Sequence, residues 1–298
     1  MSQSQSVPPL TQPALRATLM RQHVESVAQS ILTDTRADRL FADCLAASRR
    51  CHSYSVRNRL LISWQCPESR RVASLGAFGR IAADQGAEPI TINGKRRHVL
   101  VATGSRAAWI WGHNSTRTEL RDALTGEERV EVAIRYIPVA VWPVESVVYA
   151  ATREPLVLPD HVQPIDDDAL YAGLLAFAAH RGIAVEHRGL LGARGVSHGG
   201  RITLQSGDSE AMQLPVLAHE VMHEILHHGQ ATAGLSGSVI EGEAQAGAGV
   251  LMRMYGHDEP VTAGYLRNHS VKPNDVLRSM DRIIKAVDEV VQFMEGRE

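Results

Sequence analysis

The sequence predicts an α+β fold in two domains, and three observations carry that expectation. Short β-branched or alternating runs crowd residues 88–143, whereas apolar positions recur at helical spacing before and after them. The charge changes sign along the chain: residues 1–150 hold 19 Lys and Arg against 13 Asp and Glu, and the rest hold 12 against 20. Between the halves, "TREPLVLPDHVQPIDDD" has three prolines and no periodicity, and reads as a linker. The expected division is a tail over 1–15, a basic domain over 16–150, a linker over 151–168 and a second domain over 169–298. With 298 residues, 44% of them hydrophobic, each domain can bury a core.

The opening "MSQSQSVPPLTQP" lacks a basic segment leading into an apolar run, so it reads as a disordered tail rather than a signal peptide. "ADRLFADCLAASRRCHSYSVRNRLLISWQ" carries helical periodicity over one or two helices, with Cys44 and Cys51 on one face as core residues. Four strand-like runs follow: "EPITING", "RRHVLVATG", "AAWIWGHN" and "VEVAIRYIPVAVW", with "INGK" as a hairpin turn. Trp109 and Trp111 alternate onto one strand face, as core or as a stacking platform. Beyond the linker, "DDDALYAGLLAFAAHRG" has the acidic first turn and glycine stop of a helix, and "GGRITLQSG" is a short strand. A histidine-bearing helix, a second over about 239–254 and a third over about 274–294 complete the chain. In the last, Leu277, Met280, Ile284, Val287 and Val291 share a face.

Composition excludes some classes. Three cysteines (Cys44, Cys51, Cys66) form no paired framework, which points to a reducing compartment. The longest apolar run, "IPVAVWPVESVVYAA", carries a glutamate and two prolines and is no membrane span. A cytoplasmic location is expected.

The chemistry concentrates in "LPVLAHEVMHEILHHG", residues 214–229. Four histidines and two glutamates on an otherwise apolar helix need partners. His219 and His223, four apart, present their imidazoles side by side, the spacing with which both can hold one Zn²⁺. Glu220, about 100° round the helix, is placed to act as general base on a water. A third ligand is required, and Glu241 and Glu243 are on offer. Ser238 and Glu241 fit a capping box. Glu243 lies deeper, among Gly242, Ala246, Gly247 and Gly249, small residues that allow helices to approach, and is the expected ligand. Gly229 stands where a third zinc histidine would fall in the longer motif. His227 and His228 read as helix-end residues favoured by the helix dipole. Strand 201–205 is expected to be an edge that aligns an extended peptide. Tyr255, His257, Tyr265 and His269 remain open as oxyanion stabilisers.

In the basic half, the arginines of "SRR", "RNR" and "SRR" and the "GKRRH" segment lie among aromatic residues. Tyr54, Arg57, Arg59, Trp64, Arg70, Arg71, Lys95, Arg96 and Arg97 are the expected contacts to single-stranded nucleic acid, where stacking and phosphate pairing need such a surface. The plainer alternative is a solvated basic face.

These motifs carry a resemblance. HExxH followed twenty residues after its second histidine by Glu243 is similar to the gluzincin arrangement of thermolysin-like peptidases. "LAHEVMHEILHH" with "EGEAQAGAGVLM" and "GARGVSHGGRITL" resembles the ImmA/IrrE-type zincin domain. "HSYSVRNRLLISWQCPESRRVAS" resembles the amino-terminal single-stranded-DNA-binding module of ArdC-type antirestriction proteins, and "YLRNHSVKPNDVLRSMDRIIKAVDEVV" their carboxy-terminal helix. The resemblance spans roughly residues 38–294 and is looser between 75 and 150, where Phe78 replaces a tryptophan and a basic glycine-rich hairpin is lost. It implies an N-terminal α+β single-stranded-DNA-binding-like domain and a C-terminal zincin-like metallopeptidase domain, with Zn²⁺ as cofactor. It also implies single-stranded DNA and an unknown protein or peptide as partners, in the protection of incoming DNA from restriction. Two rivals stand beside it: a zinc domain that is structural or idle while the protein occludes DNA, and a peptidase that cleaves a repressor while the basic domain binds protein.

Overall fold

The computed structural model describes residues 13–34, 36, 38–46, 54–69, 71–121, 128–158, 165–228, 234–257, 259–267 and 271–296. In chain order the elements are α1 (Pro13–Thr33), α2 (Asp38–Ala46), α3 (Val56–Gln65), β1 (Val72–Ala73), α4 (Leu75–Asp84), β2 (Ile90–Ile92), β3 (Lys95–Arg97), β4 (Val99–Val101), β5 (Ala108–Arg121) and β6 (Glu128–Pro143). There follow β7 (Val147–Tyr149), α5 (Asp167–His180), β8 (Ala184–Arg188), β9 (Gly195–Ser197), β10 (Arg201–Gln205), α6 (Glu210–His227), α7 (Gly237–Met254) and α8 (Pro273–Met294). The class is the expected α+β.

The chain forms two compact units, and they are not colinear: Met1–Val24 joins Leu60–Leu158, and Glu25–Arg59 joins Pro159–Glu298. Sequence reading assigned residues 25–59 to the basic half. Specific pairs tie them to the acidic half instead. The Arg59 side chain, 1% exposed, donates from Nη2 to Asp288 Oδ2 at 2.5 Å and from Nε to the Tyr54 carbonyl at 2.7 Å. Arg267 pairs with Asp38 and donates from Nε to the Ile31 carbonyl at 3.1 Å.

In the first unit, α1 begins at Pro13; the rest of the expected tail lies outside the described residues. Along α1, Met20 and Val24 are buried in this unit and Val27, Ala28 and Ile31 in the other, at spacings of three and four that are themselves a helix signal in the sequence. A core of Phe78, Ala82, Val99, Val144, Val147 and Leu156 fills the space between α4 and the short strands. Phe78, the departure from the tryptophan pattern, is fully buried there. Leu156 falls in the stretch read as linker, which is packed up to Leu158. The β2–β3 hairpin has the expected turn: Asn93 (φ 47°) and Gly94 (φ 72°) both take the left-handed conformation that a two-residue type I′ turn needs. β5 and β6 pair antiparallel from Ala108↔Val141 to Arg121↔Glu128. Ile110 and Val141 turn inward, whereas the consecutive residues Ala133–Ile137 are all exposed, so both faces of the ribbon meet solvent there.

In the second unit a three-stranded sheet has the order β8-β10-β9, with β10 parallel to β8 and antiparallel to β9. Residues 201–205 are therefore the central strand, both of whose edges are taken, and cannot receive a peptide. β9 is the edge. Helix α5 is capped by Asp166, whose side chain accepts the Ala169 amide at 2.8 Å. The five expected apolar positions of α8 are all buried. Among the described residues no helix is long and apolar enough to cross a membrane.

Candidate metal centre

Helix α6 buries Leu214, Leu217, Ala218, Val221 and Met222 in the core of its unit and turns its histidines toward β9 and α7. The approach of α7 depends on Gly247, where a Cβ would meet Met222 Sδ at 2.8 Å. His219 Nε2 and His223 Nε2 lie 3.0 Å apart, and Glu241 Oε2 is 3.5 Å from each. A tetrahedral zinc with bonds of about 2.0–2.2 Å needs donors spaced about 3.3–3.5 Å. Glu241 lies at that spacing from both histidines, and the two imidazole nitrogens are somewhat closer to one another, so the three atoms converge as the donors of one small cation would. Burial, followed by the charge of neighbouring His219, lowers the His223 pKa to about 4, and burial lowers that of His219 as well. Both rings are thus neutral near pH 7 and need lose no proton to become donors.

Glu241 stands where Glu243 was expected. Two residues are about 200° round a helix, so only one of the pair can face α6's histidines. Glu243 is fully buried on the side facing α8, where Arg282 grips it: Nε donates to Oε2 at 3.0 Å and Nη2 donates to Oε1. His227 Nε2 lies 3.2 Å from the same Oε2. Burial opposes ionisation of Glu243, but hydrogen bonds from His227, Arg282 and Ser279 outweigh it and hold its carboxyl below the ordinary range. Nor does the Ser238–Glu241 capping box form. The helix starts two residues earlier, on Ser236, whose hydroxyl accepts the Val239 amide.

Glu220 borders the same cleft of about 440 Å³ as the three donors, with Gly195, Val196 and Ser197 of β9 on its rim. Burial, then the nearby Glu241 charge, push its pKa up to about 7 against the opposing hydrogen bond from the Ser197 amide. Gly195 has no room for a side chain: a Cβ would stand 2.5 Å from Val216 Cγ1 and 2.8 Å from Glu220 Oε1. The edge is pinned to α6 by Glu224, whose Oε1 accepts from Ser197 Oγ (2.8 Å) and Gly199 N (3.0 Å) and whose Oε2 accepts from Gly200 N (2.6 Å). His228 Nε2 sits 2.5 Å from Ser197 Oγ, which makes it a lining residue of the cleft rather than a mere helix end. Arg194 accepts from Gln205 and His198 donates to Arg201, so the alternate residues Gly195 and Ser197 turn their main chain away from β10.

Of the four oxyanion candidates, the three among the described residues do not line this cleft. Tyr265 is spent on Ser279 at 2.9 Å, Tyr255 is buried, His257 lies 3.7 Å from Asp167, and His269 is outside the described residues. The expected nucleic-acid residues divide between the units. Tyr54, Arg57 and Arg59 belong with the metal centre, and Arg59 is interior, which removes it as a surface contact. In the other unit, Lys95, Arg96 and Arg97 lie exposed along β3, while Trp64 is stacked on His23 with centroids 4.0 Å apart. Trp109 and Trp111 carry the guanidinium groups of Arg16 and Arg21 at 3.3 Å and 5.8 Å. Arg71 is half-buried, and Arg70 lies outside the described residues.

No family model and no curated protein matches the sequence. Among solved structures, the metal-free antirestriction ArdC protein from the R388 plasmid aligns over 92% of this chain and 98% of its own, with TM-score 0.50 and 13% identity. This chain has the ArdC fold. The Mn(II)-bound structure of the same plasmid protein aligns over 86% of this chain and 97% of its own, with TM-score 0.44 and 13% identity. At that identity the ArdC likeness speaks for architecture, and the chemistry rests on the residues described above.

Proposed function

We propose that this ArdC-like chain is an antirestriction-type protein that joins single-stranded-DNA binding to a zinc-dependent peptidase centre. The observation that carries the reading is the triangle of His219, His223 and Glu241 donors with the Glu220 carboxyl beside it in an open cleft. Two imidazoles and one carboxylate are a donor set suited to zinc, with a coordination position left open, as a catalytic site needs. Zinc held there supplies Lewis-acid activation of water and of a scissile carbonyl. Glu220 takes the proton of the attacking water and hands it to the leaving amine. The outward main chain of Gly195 and the Ser197 carbonyl offer hydrogen bonds to an extended peptide, the role expected of 201–205. The exposed Lys95–Arg97 strand supplies phosphate contacts in the unit where Lys and Arg outnumber Asp and Glu 14 to 10.

The test is metal analysis with a mixed-peptide cleavage assay on the wild type and Glu220→Gln. The expected result is about one zinc per chain in both, with cleavage falling ~10²-fold or more in the variant. Equal cleavage by both would remove Glu220 from the chemistry. Zinc binding without cleavage of any peptide, with DNA protection intact, would leave an occluding protein.

A further inference from the structure

We infer that Glu243, acting through His227, fixes which nitrogen of His223 carries its hydrogen and so presents His223 Nε2 as a metal donor. Glu243 is thereby a positioning residue, an inference that rests on the metal-site reading above. A chain of hydrogen-bonding contacts runs from α8 to the cleft. Glu243, gripped by Arg282, is an acceptor only, so the 3.2 Å contact with His227 requires the hydrogen on His227 Nε2. With its hydrogen directed at Glu243, His227 turns its other nitrogen, Nδ1, toward His223 as the acceptor. That atom lies 3.3 Å from His223 Nδ1. One of two nitrogens in contact must supply a hydrogen, and it is His223 that does so. The remaining nitrogen of His223, Nε2, is left with its lone pair, 3.0 Å from His219 Nε2 and 3.5 Å from Glu241 Oε2. The tautomer of a ligating histidine is set by the bond its other nitrogen makes. Arg282 has its own part: its positive charge lets a carboxylate with no exposed surface remain an acceptor. His219 has no matching histidine–carboxylate relay behind it: its buried Nδ1 has no hydrogen-bond partner by geometry among the described residues, and Gln245 is the neutral side chain beside it. The arrangement thus makes His223 the pre-set donor and His219 the adjustable one.

The test uses the full chain in two variants. His227→Phe breaks the chain of contacts in the middle. Glu243→Leu/Arg282→Met removes the buried carboxylate and its half-buried partner together, so that neither charge is left uncompensated and folding is kept. The first measurement is on metal-free protein: long-range ¹H–¹⁵N correlation of the imidazoles. In the wild type His223 is expected in the Nδ1–H form, and in both variants it should shift toward Nε2–H. The second is zinc affinity by chelator competition, expected to weaken about 10–100-fold in each variant at unchanged secondary structure. An unchanged His223 tautomer together with wild-type zinc affinity in His227→Phe would overturn the inference. Failure of wild type itself to bind zinc would instead overturn the metal site, and the tautomer measurement on metal-free protein separates the two.

Discussion

A methyl group on Gly195 would stand 2.8 Å from the Glu220 carboxylate oxygen, closer than real Cβ contacts come. The edge strand and the Glu220 carboxyl, the proposed general base, therefore share one small volume, and the absent side chain is what admits both. Gly195→Ala is expected to displace either β9 or the Glu220 carboxylate by a fraction of an ångström. Zinc content should stay at the wild-type level, because none of the three donors is touched, while peptide cleavage drops on the order of 10²-fold from misplacement alone. Wild-type turnover with bound zinc would show that the base works from elsewhere.

Glu241 and Glu243 give opposite expectations for substitution. Glu241→Gln removes a charged donor from an exposed position, so zinc occupancy should collapse with the melting temperature of the metal-free chain unchanged. Glu243→Ala strips the partner from Arg282 and His227 in the interior, so it should destabilise the fold by about 3–5 kcal/mol. Metal analysis and thermal melts of the two variants side by side check this; the reverse pattern would restore Glu243 as the ligand.

How far the sequence could be read follows from what each signal depends on. The HExxH helix, the α5 and α8 helices and the Asn93-Gly94 turn rest on local spacing and dihedral preference, and these were legible. The third ligand was not, because choosing between Glu241 and Glu243 requires knowing the rotation of α7 about its axis. Its glycines were read as one face for α6. In fact Gly247 packs on Met222, Gly242 against Tyr265 and Gly249 against Val261, so the small residues serve different neighbours. The role of Arg59 was hidden for a similar reason: its partner Asp288 lies 229 residues away. A basic residue in a basic stretch looks solvated until its distant acid is known. Strand 201–205 was recognised, and so was the hairpin that joins it to β9, but its central place in the sheet depends on the parallel partner β8, whose sequence AVEHR carries three polar residues and no apolar alternation.

The titration of Glu220 gives a signed expectation. In the metal-free folded chain its pKa is raised from an ordinary 4.5 to about 7, so it binds its proton more tightly folded than unfolded. The stability this brings is full below about pH 4.5 and is lost as pH rises through 7. Glu220→Gln escapes that loss. Its melting temperature, measured without metal, should exceed that of wild type by a few degrees at pH 8 and by little at pH 5. A constant difference across this range would mean that Glu220 is not held in its protonated form.

Arginine and lysine substitutions should separate structure from binding. Arg59→Met leaves Asp288 without its partner in the interior and is expected to lower the melting temperature without changing single-strand affinity in the folded protein. Reversing Lys95, Arg96 and Arg97 to glutamate should leave the melt alone, weaken binding to single strands and flatten its salt dependence by about 0.7 per lost phosphate contact. Loss of affinity in Arg59→Met at full folding would return that residue to the binding surface.

Because Arg59 closes on Asp288, the unit holding the metal donors cannot finish assembling until nearly the last turn of α8 has been made, whereas every residue of the other unit has been synthesised by Leu158. Units that fold as they emerge do so from the amino terminus onward. The unit with the basic β3 strand is thus available first, and α2 and the start of α3 wait unpaired for more than two hundred residues. A chain interrupted in translation between Leu158 and Asp288 would carry every residue of the first unit without the contact that closes the second, so an unfinished product would present the proposed nucleic-acid surface before the metal donors are held in place.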